Sequence, residues 1–403
     1  MSELKTYKFS HLYEMSSGIS SKPEQFGHGF PFLSFSTVFK SHFLPNELPD
    51  LMDISEKEGD IYSIKEGDIF LTRTSETLDE LGMSCVSIKN YPIASYSGFL
   101  KRLRPTQNNL SYHKFMAFYL RSKLFRQTMS NNAVMTLRAS LNEQIFSYLD
   151  LILPPFEEQK KIGDFLFQIN QKIELNNKIN AELEAMAKLI YDYWFVQFDF
   201  PDKNGKPYKT SGGNMVWNEE LKRKIPEGWE ISSVNDLLIK YSDKSIHIDS
   251  KQILKKGKYP VITQDNGDYI SGFTNEENPI NEIPLIVFGD HSCTLRYIDF
   301  PFFRGADGTQ LMYFGDNLTI FIFIYLKSVI NQLPGYGKYE RHFKYLKEFK
   351  ILVPESRKLK DFQIQLEPIF KKISKSRLEN QKLAELRDWL LPMLMNGQVK
   401  VKN

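Results

Sequence analysis

The feature that most constrains this 403-residue chain is an internal repeat at a spacing of 200 positions. Between Leu151 and Met395, Pro154 matches Pro354, Ile169 matches Ile369, Lys172-Ile173 matches Lys372-Ile373, and Asn180, Leu183 and Ile190 meet Asn380, Leu383 and Leu390. Each copy opens with an apolar triplet, Leu151-Ile152-Leu153 or Ile351-Leu352-Val353, and runs into proline. Helical periodicity then continues for about 40 residues. A unit duplicated at this length means two comparable modules, so the chain can address a target in two places.

The helical part of each copy follows heptads. In the first, a positions fall on Ile162, Ile169, Asn176, Leu183 and Ile190, and d positions on Leu166, Ile173, Asn180, Ala187 and Trp194. In the second, a positions are Phe362, Ile369, Ser376, Leu383 and Leu390, and d positions are Leu366, Ile373, Asn380, Arg387 and Leu394. Both seams are apolar at the ends and polar in the middle. An antiparallel pair therefore sets Asn176 and Asn180 near Ser376 and Asn380, a polar layer that fixes register at some cost in stability. Helices of this length are rods of roughly 60 Å. Pro155 and Glu157-Glu158 suit the first turn of the first helix, whereas Pro368 predicts a kink or a late start in the second. The rival reading is bundle packing inside one large domain; a seam sustained over several heptads favours the coiled coil.

Length and repeat together give an α+β chain of two mixed α/β modules separated by two long antiparallel helices, with a pseudo-two-fold internal repeat. The boundaries are residues 1–153 for the first module, 154–198 for the central helix, 199–225 for a linker, 226–353 for the second module and 354–403 for the C-terminal helix. The first module has one helix near Tyr112 to Met129, and the second has one near Asn317 to Gln332. The linker, with Pro201, Gly205, Pro207, Gly212 and Gly213, reads as turn and loop. Only Cys85 and Cys293 occur, and Met1-Ser2-Glu3-Leu4-Lys5 has no secretory character, so a cytoplasmic protein without disulfides is expected. The longest apolar run, Leu318 to Leu326, is too short for a membrane span.

A net charge of +3 does not by itself argue for nucleic acid. Its distribution says more. From Lys101 to Arg138 the chain carries Lys101, Arg102, Arg104, Lys114, Arg121, Lys123, Arg126 and Arg138 with no acidic residue. Such a stretch either contacts phosphates or is a solvated face balanced elsewhere. Catalytic chemistry is scarce. No histidine pair has zinc spacing, no phosphate-cradling loop occurs, and His291 in Gly289-Asp290-His291-Ser292-Cys293 reads as a loop residue available for hydrogen bonding. Leu153-Pro154-Pro155-Phe156 is similar to the tetrapeptide with which amino-methyltransferases hold a flipped base, but leucine stands where an amide or carboxylate must accept the amino proton.

Two longer segments carry a family resemblance. Leu153-Pro154-Pro155-Phe156-Glu157-Glu158-Gln159-Lys160-Lys161-Ile162 and Trp194-Phe195-Val196-Gln197-Phe198-Asp199-Phe200-Pro201, the latter continued by Ile225-Pro226-Glu227-Gly228-Trp229, resemble the central region of specificity subunits of type I restriction-modification systems. The resemblance implies a non-catalytic chain whose two target recognition domains each read one half of a split, asymmetric double-stranded DNA site. It implies two modification subunits and restriction subunits as partners. S-adenosylmethionine, ATP and Mg are expected on those partners, with no cofactor or metal in this chain and no membrane contact. Docking candidates on the helical regions are Glu157, Gln159, Lys160, Tyr193, Trp194, Phe195 and Trp389.

Base readout needs polar side chains on loops that reach the groove. In the first module the candidates are Arg73, Thr74 and Ser75, then Lys101, Arg102 and Arg104, then Thr136, Arg138 and Ser140. In the second they are Gln264, Asn266, His291, Arg304, Tyr336, Lys338, Arg341 and His342. The alternatives are a self-sufficient DNA amino-methyltransferase and a coiled-coil scaffold that makes no DNA contact.

Overall fold

The computed structural model describes residues 4–20, 22–75, 81–132, 134–135, 139–140, 147–240, 246–305 and 308–401. The chain divides into two compact units, one made of Met1–Ile173 with Lys382–Asn403 and the other of Glu174–Gln381. The two long helices, Phe156–Tyr191 and Ser356–Met395, each begin in one unit and end in the other.

Each unit contains part of both helices, and the pairing inside it is antiparallel. In the first unit Ile162 and Leu166 share a core with Leu394 and Met395, and Leu390 packs against it. In the second, Ala187 and Trp194 share a core with Phe362 and Leu366, the Trp194 and Phe362 rings lying 5.6 Å apart. Between these apolar stretches lies the expected polar layer. Asn176 Nδ2 donates to Asn380 Oδ1 and to Glu379 Oε2, each at 2.9 Å, and Asn380 Nδ2 donates to Asn177 Oδ1 at 2.8 Å. Asn176 opposite Asn380 and Trp194 opposite Phe362 define a single register in which a positions face d positions. That register maps onto itself under the repeat. Asn180 falls opposite Ser376 as Asn176 does opposite Asn380, and Asn176, Asn180 and Ser376 are all buried.

The second helix starts at Ser356 and runs through Pro368, so the expected late start does not occur. Proline deprives the carbonyl four residues earlier of its donor. That carbonyl belongs to Ile364, whose residue is 61% exposed, so water can take the donor's place. The first helix ends in a π turn, Asp192–Val196.

The two modules share a frame. In the first, Ile69–Thr72 lies between Ser84–Val86 and Leu100–Pro105, with Tyr13–Ser17 beyond, all antiparallel. In the second, Leu285–Gly289 lies between Leu295–Ile298 and Thr309–Met312, again antiparallel. Both central strands are buried along their whole length, which is why they read as unbroken apolar runs rather than alternations. The strand that opens each module pairs with the strand that leads into its long helix: Lys5–Lys8 with Asp150–Leu153, and Glu230–Ser233 with Lys350–Val353.

Three local readings change. The helix near Tyr112–Met129 is two helices, His113–Tyr119 and Lys123–Asn132, parted where Ser122 Oγ donates to the Tyr119 carbonyl at 2.6 Å and accepts from Phe125 N. The helix near Asn317–Gln332 is Thr319–Val329 followed by a 3-10 turn, Ile330–Gln332. The segment read as turn and loop holds a hairpin, Met215–Asn218 with Arg223–Pro226, and contributes Phe200, stacked on Trp229, and Ile225 to the second core.

Replacing Asn176 by Ala removes the donor that Asn380 Oδ1 and Glu379 Oε2 share at the seam. Chemical denaturation should show a loss of about 1–3 kcal/mol, whereas the double change Asn176→Leu with Asn380→Leu should raise the unfolding midpoint.

Candidate nucleic-acid interface

The shared frame places the predicted loops at one equivalent position. Strand registers align Leu71, opposite Ser84 and Lys101, with Phe288, opposite Leu295 and Gln310. Arg73-Thr74 therefore leaves the first central strand where Asp290-His291 leaves the second. Arg73 is exposed, and its amide donates to the Phe99 carbonyl at 2.9 Å, beside a Phe99 side chain that is 65% exposed. Thr74–Ser75 pairs antiparallel with Ala139–Ser140, which brings two of the predicted segments into one small sheet with Val134–Met135. Thr136 and Arg138 lie outside the described residues.

Much of the basic stretch faces inward. Arg104 makes a two-pronged bond with Asp68, Nε to Oδ1 at 2.8 Å and Nη2 to Oδ2 at 2.7 Å, and Asp68 is fully buried. That carboxylate raises the Arg104 pKa. Arg102 is buried and donates to the Ser63 carbonyl at 2.8 Å, with Tyr96 beneath its guanidinium. Arg121 donates to the carbonyls of Ser84, Val38, Phe39 and Ser41 at 2.7–3.1 Å. These arginines are held inward by the Asp68 carboxylate and by main-chain oxygens, chiefly at the ends of the short helices Phe35–Lys40 and Glu56–Ile61. Lys101 Nζ donates to Ser17 Oγ at 2.6 Å across the sheet.

In the second unit the candidates converge on two loops. Asn266, Lys338 and Arg341 are exposed and Tyr336 is half-exposed. Gln264 holds the turn that carries His291, its Oε1 accepting from the His291 amide at 3.2 Å. Arg304 is half-buried on a short strand beside Ile262. His342 is a correction: it is fully buried, with ring nitrogens 3.1 and 3.2 Å from the carbonyls of Pro334 and Lys338, so it shapes the loop rather than meeting DNA. Tyr339, in the same loop but not singled out among the candidates, is 84% exposed and stacked on His291. A second tyrosine among charges in a Gly-rich loop is the signal the sequence offers.

Docking candidates also divide. Gln159 is buried and bonds Tyr112 N, the Leu110 carbonyl and the Pro154 carbonyl at 2.9 Å each. Trp194 and Phe195 belong to the second core. These three hold the structure together and offer a partner nothing. Tyr193 and Trp389 are exposed, and Glu157 and Lys160 form an outward i,i+3 pair at 3.8 Å. Leu153 is fully buried in the first core, which leaves it no part in holding a flipped base. Among the described residues no cluster of metal-ligating side chains occurs, and no helix is long and apolar enough to cross a membrane.

Residues 19–185 match the type I restriction modification DNA specificity domain. The MjaIX specificity subunit of Methanocaldococcus jannaschii is 23% identical over 370 residues, covering 86% of this chain and 81% of the relative. The chain is similar to type I restriction-modification specificity subunits. The HindI specificity subunit of Haemophilus influenzae is 23% identical over 450 residues, covering 91% of this chain and 94% of that one. Among solved structures, the S subunit of the type I system of M. genitalium shares the fold, with a TM-score of 0.61 at 16% identity over 98% of this chain and 96% of that one.

Two outcomes test the division between structural and exposed cations. Arg104→Met leaves the Asp68 carboxylate buried and unpaired and should cost about 3 kcal/mol in chemical denaturation. Lys338→Met should cost little stability and instead lower the salt slope of DNA binding by about 1. His42 is a separate probe of the cationic corner around Arg121. Burial, with the charges of Arg121 and Arg387, lowers its pKa to about 3 from 6.5. The folded state therefore binds fewer protons than the unfolded one between those values. Stability should be complete above pH 6.5 and fall as pH drops toward 3, by up to about 1.4 kcal/mol per pH unit. His42→Gln should flatten that slope in denaturation titrations.

Proposed function

We propose that the chain is the DNA-reading subunit of a type I restriction-modification complex acting in the cytoplasm. Each module reads one half of a bipartite, asymmetric site and so directs adenine methylation and restriction by partner subunits. The observation that carries this reading is the recurrence of one frame with different polar tips: Arg73-Thr74 at the end of one central strand and Asp290-His291 at the end of the other. Two modules on a repeated scaffold suit two half sites, and differing tips suit different base sequences.

Two modification subunits are part of the proposal. Exposed apolar side chains recur at the repeat spacing on the two long helices, Met186 and Leu189 on one and Leu386 and Trp389 on the other. Such paired patches suit two copies of one partner. S-adenosylmethionine, ATP and Mg belong, in this reading, to the partner subunits. A self-sufficient methyltransferase is disfavoured because the one segment similar to a base-holding tetrapeptide has its first side chain, Leu153, in the core.

Exchanging residues 1–153 for the first module of a relative, then mapping methylated adenines, should change one half site and leave the other intact. A change in both halves would contradict modular readout. In native mass measurements Leu189→Asp or Trp389→Asp should each reduce the bound modification subunits from two to one.

A further inference from the structure

In the second unit the fold fixes the hydrogen-bonding sense of one half-buried ring, that of His291. His291 sits in a turn closed by Cys293 N donating to the Gly289 carbonyl and Gly289 N donating to the Thr294 carbonyl, both at 2.9 Å. Gln264 supports the turn, its side-chain oxygen accepting from His291 N and its carbonyl from Thr294 Oγ1 at 3.0 Å. The loop Gly335–Arg341 lies beside it. Asp290 ties the two together: its carbonyl accepts from His342 N at 3.1 Å and its carboxylate from Phe343 N at 2.7 Å.

Within this frame the His291 Nδ1 lies 3.0 Å from the Glu340 carbonyl oxygen. A carbonyl only accepts, so Nδ1 carries the proton and Nε2 of the neutral ring is an acceptor. Tyr339 stacks on the imidazole with centroids 4.4 Å apart and planes 10° apart, covering one face and hindering a ring flip. No described residue bonds Nε2. Lys338 and Arg341 stand exposed on the same loop, where cations suit phosphates.

We propose that His291 is a base-reading residue of the second module, accepting through Nε2 the exocyclic amino proton of an adenine or cytosine in the major groove. This rests on the DNA-reading function above. The amino groups of adenine N6 and cytosine N4 are the donors on that edge, whereas guanine O6 and thymine O4 are acceptors. An acceptor locked in place therefore selects the first pair and repels the second.

The test uses the full chain in complex with its modification subunits and duplexes carrying its recognition site. In one arm each adenine of the second half site is replaced by purine, and in the other each cytosine by pyrimidin-2-one, so that only the amino group is lost. The wild-type complex should lose about tenfold in affinity at one position, and the arm in which this happens names the base. His291→Phe keeps a ring for Tyr339 but has no nitrogen, and it should bind natural and substituted duplexes equally weakly at that position while its first-half selectivity is unchanged. If wild type tolerates every substitution in the second half site, or if His291→Phe gives the wild-type profile, the role of His291 is overturned and the DNA-reading function stands. If wild type shows no sequence preference at all, the DNA-reading function itself falls.

Discussion

The antiparallel register of the two long helices is the constraint on which the rest depends. The largest core of each unit is built on both helices: the first joins Ile162 and Leu166 to Leu394 and Met395, and the second joins Ala187 and Trp194 to Phe362 and Phe370. A slip of one heptad would break both sets of contacts and set Asn176 opposite Ile373 or Arg387 in place of Asn380. The Asn176–Asn380 bonds supply the discrimination, since an apolar centre would tolerate such a slip. Glu184 adds to this, taking Arg377 at 2.6 Å from the second helix and Lys327 at 2.8 Å from the helix of the second module.

This arrangement was legible in the sequence because its determinants are periodic. Heptads depend on neighbours three and four residues away, and a repeat at constant offset shows itself without any knowledge of tertiary contacts. The polar layer at Asn176 and Asn380 was legible for the same reason. Of the two outcomes expected of Pro368, the late start does not occur: the helix runs through it, and the carbonyl left without a donor belongs to Ile364, an exposed residue where water can donate instead.

The recognition tips were legible as regions and much less as residues. Arg102 and Arg104 have the composition of a phosphate-binding strand, but the groups that consume them, Ser63 and Asp68, lie about 40 residues back in the chain on another element. Trp194 and Phe195 look like an exposed aromatic surface until Phe362 closes over them from the second helix. Gln159 and His342 carry typical interface chemistry, and both are consumed by main-chain groups that a helix start and a loop would otherwise leave unsatisfied. In each case the deciding partner is distant in sequence, so the residue type alone could not decide. What survives at the tips is the set with no interior use: Arg73 in the first module, and Asn266, Tyr336, Lys338 and Arg341 in the second, with Tyr339 and His291 joined by stacking.

The central claim is that one chain reads two different half sites. Methylation mapping in a host that carries this chain with its modification subunit tests it most directly. The account predicts a single bipartite motif, two unlike short half sites separated by a fixed run of unread bases, methylated only when the chain is present. A contiguous motif, a palindromic one, or the same methylation pattern without the chain would contradict it.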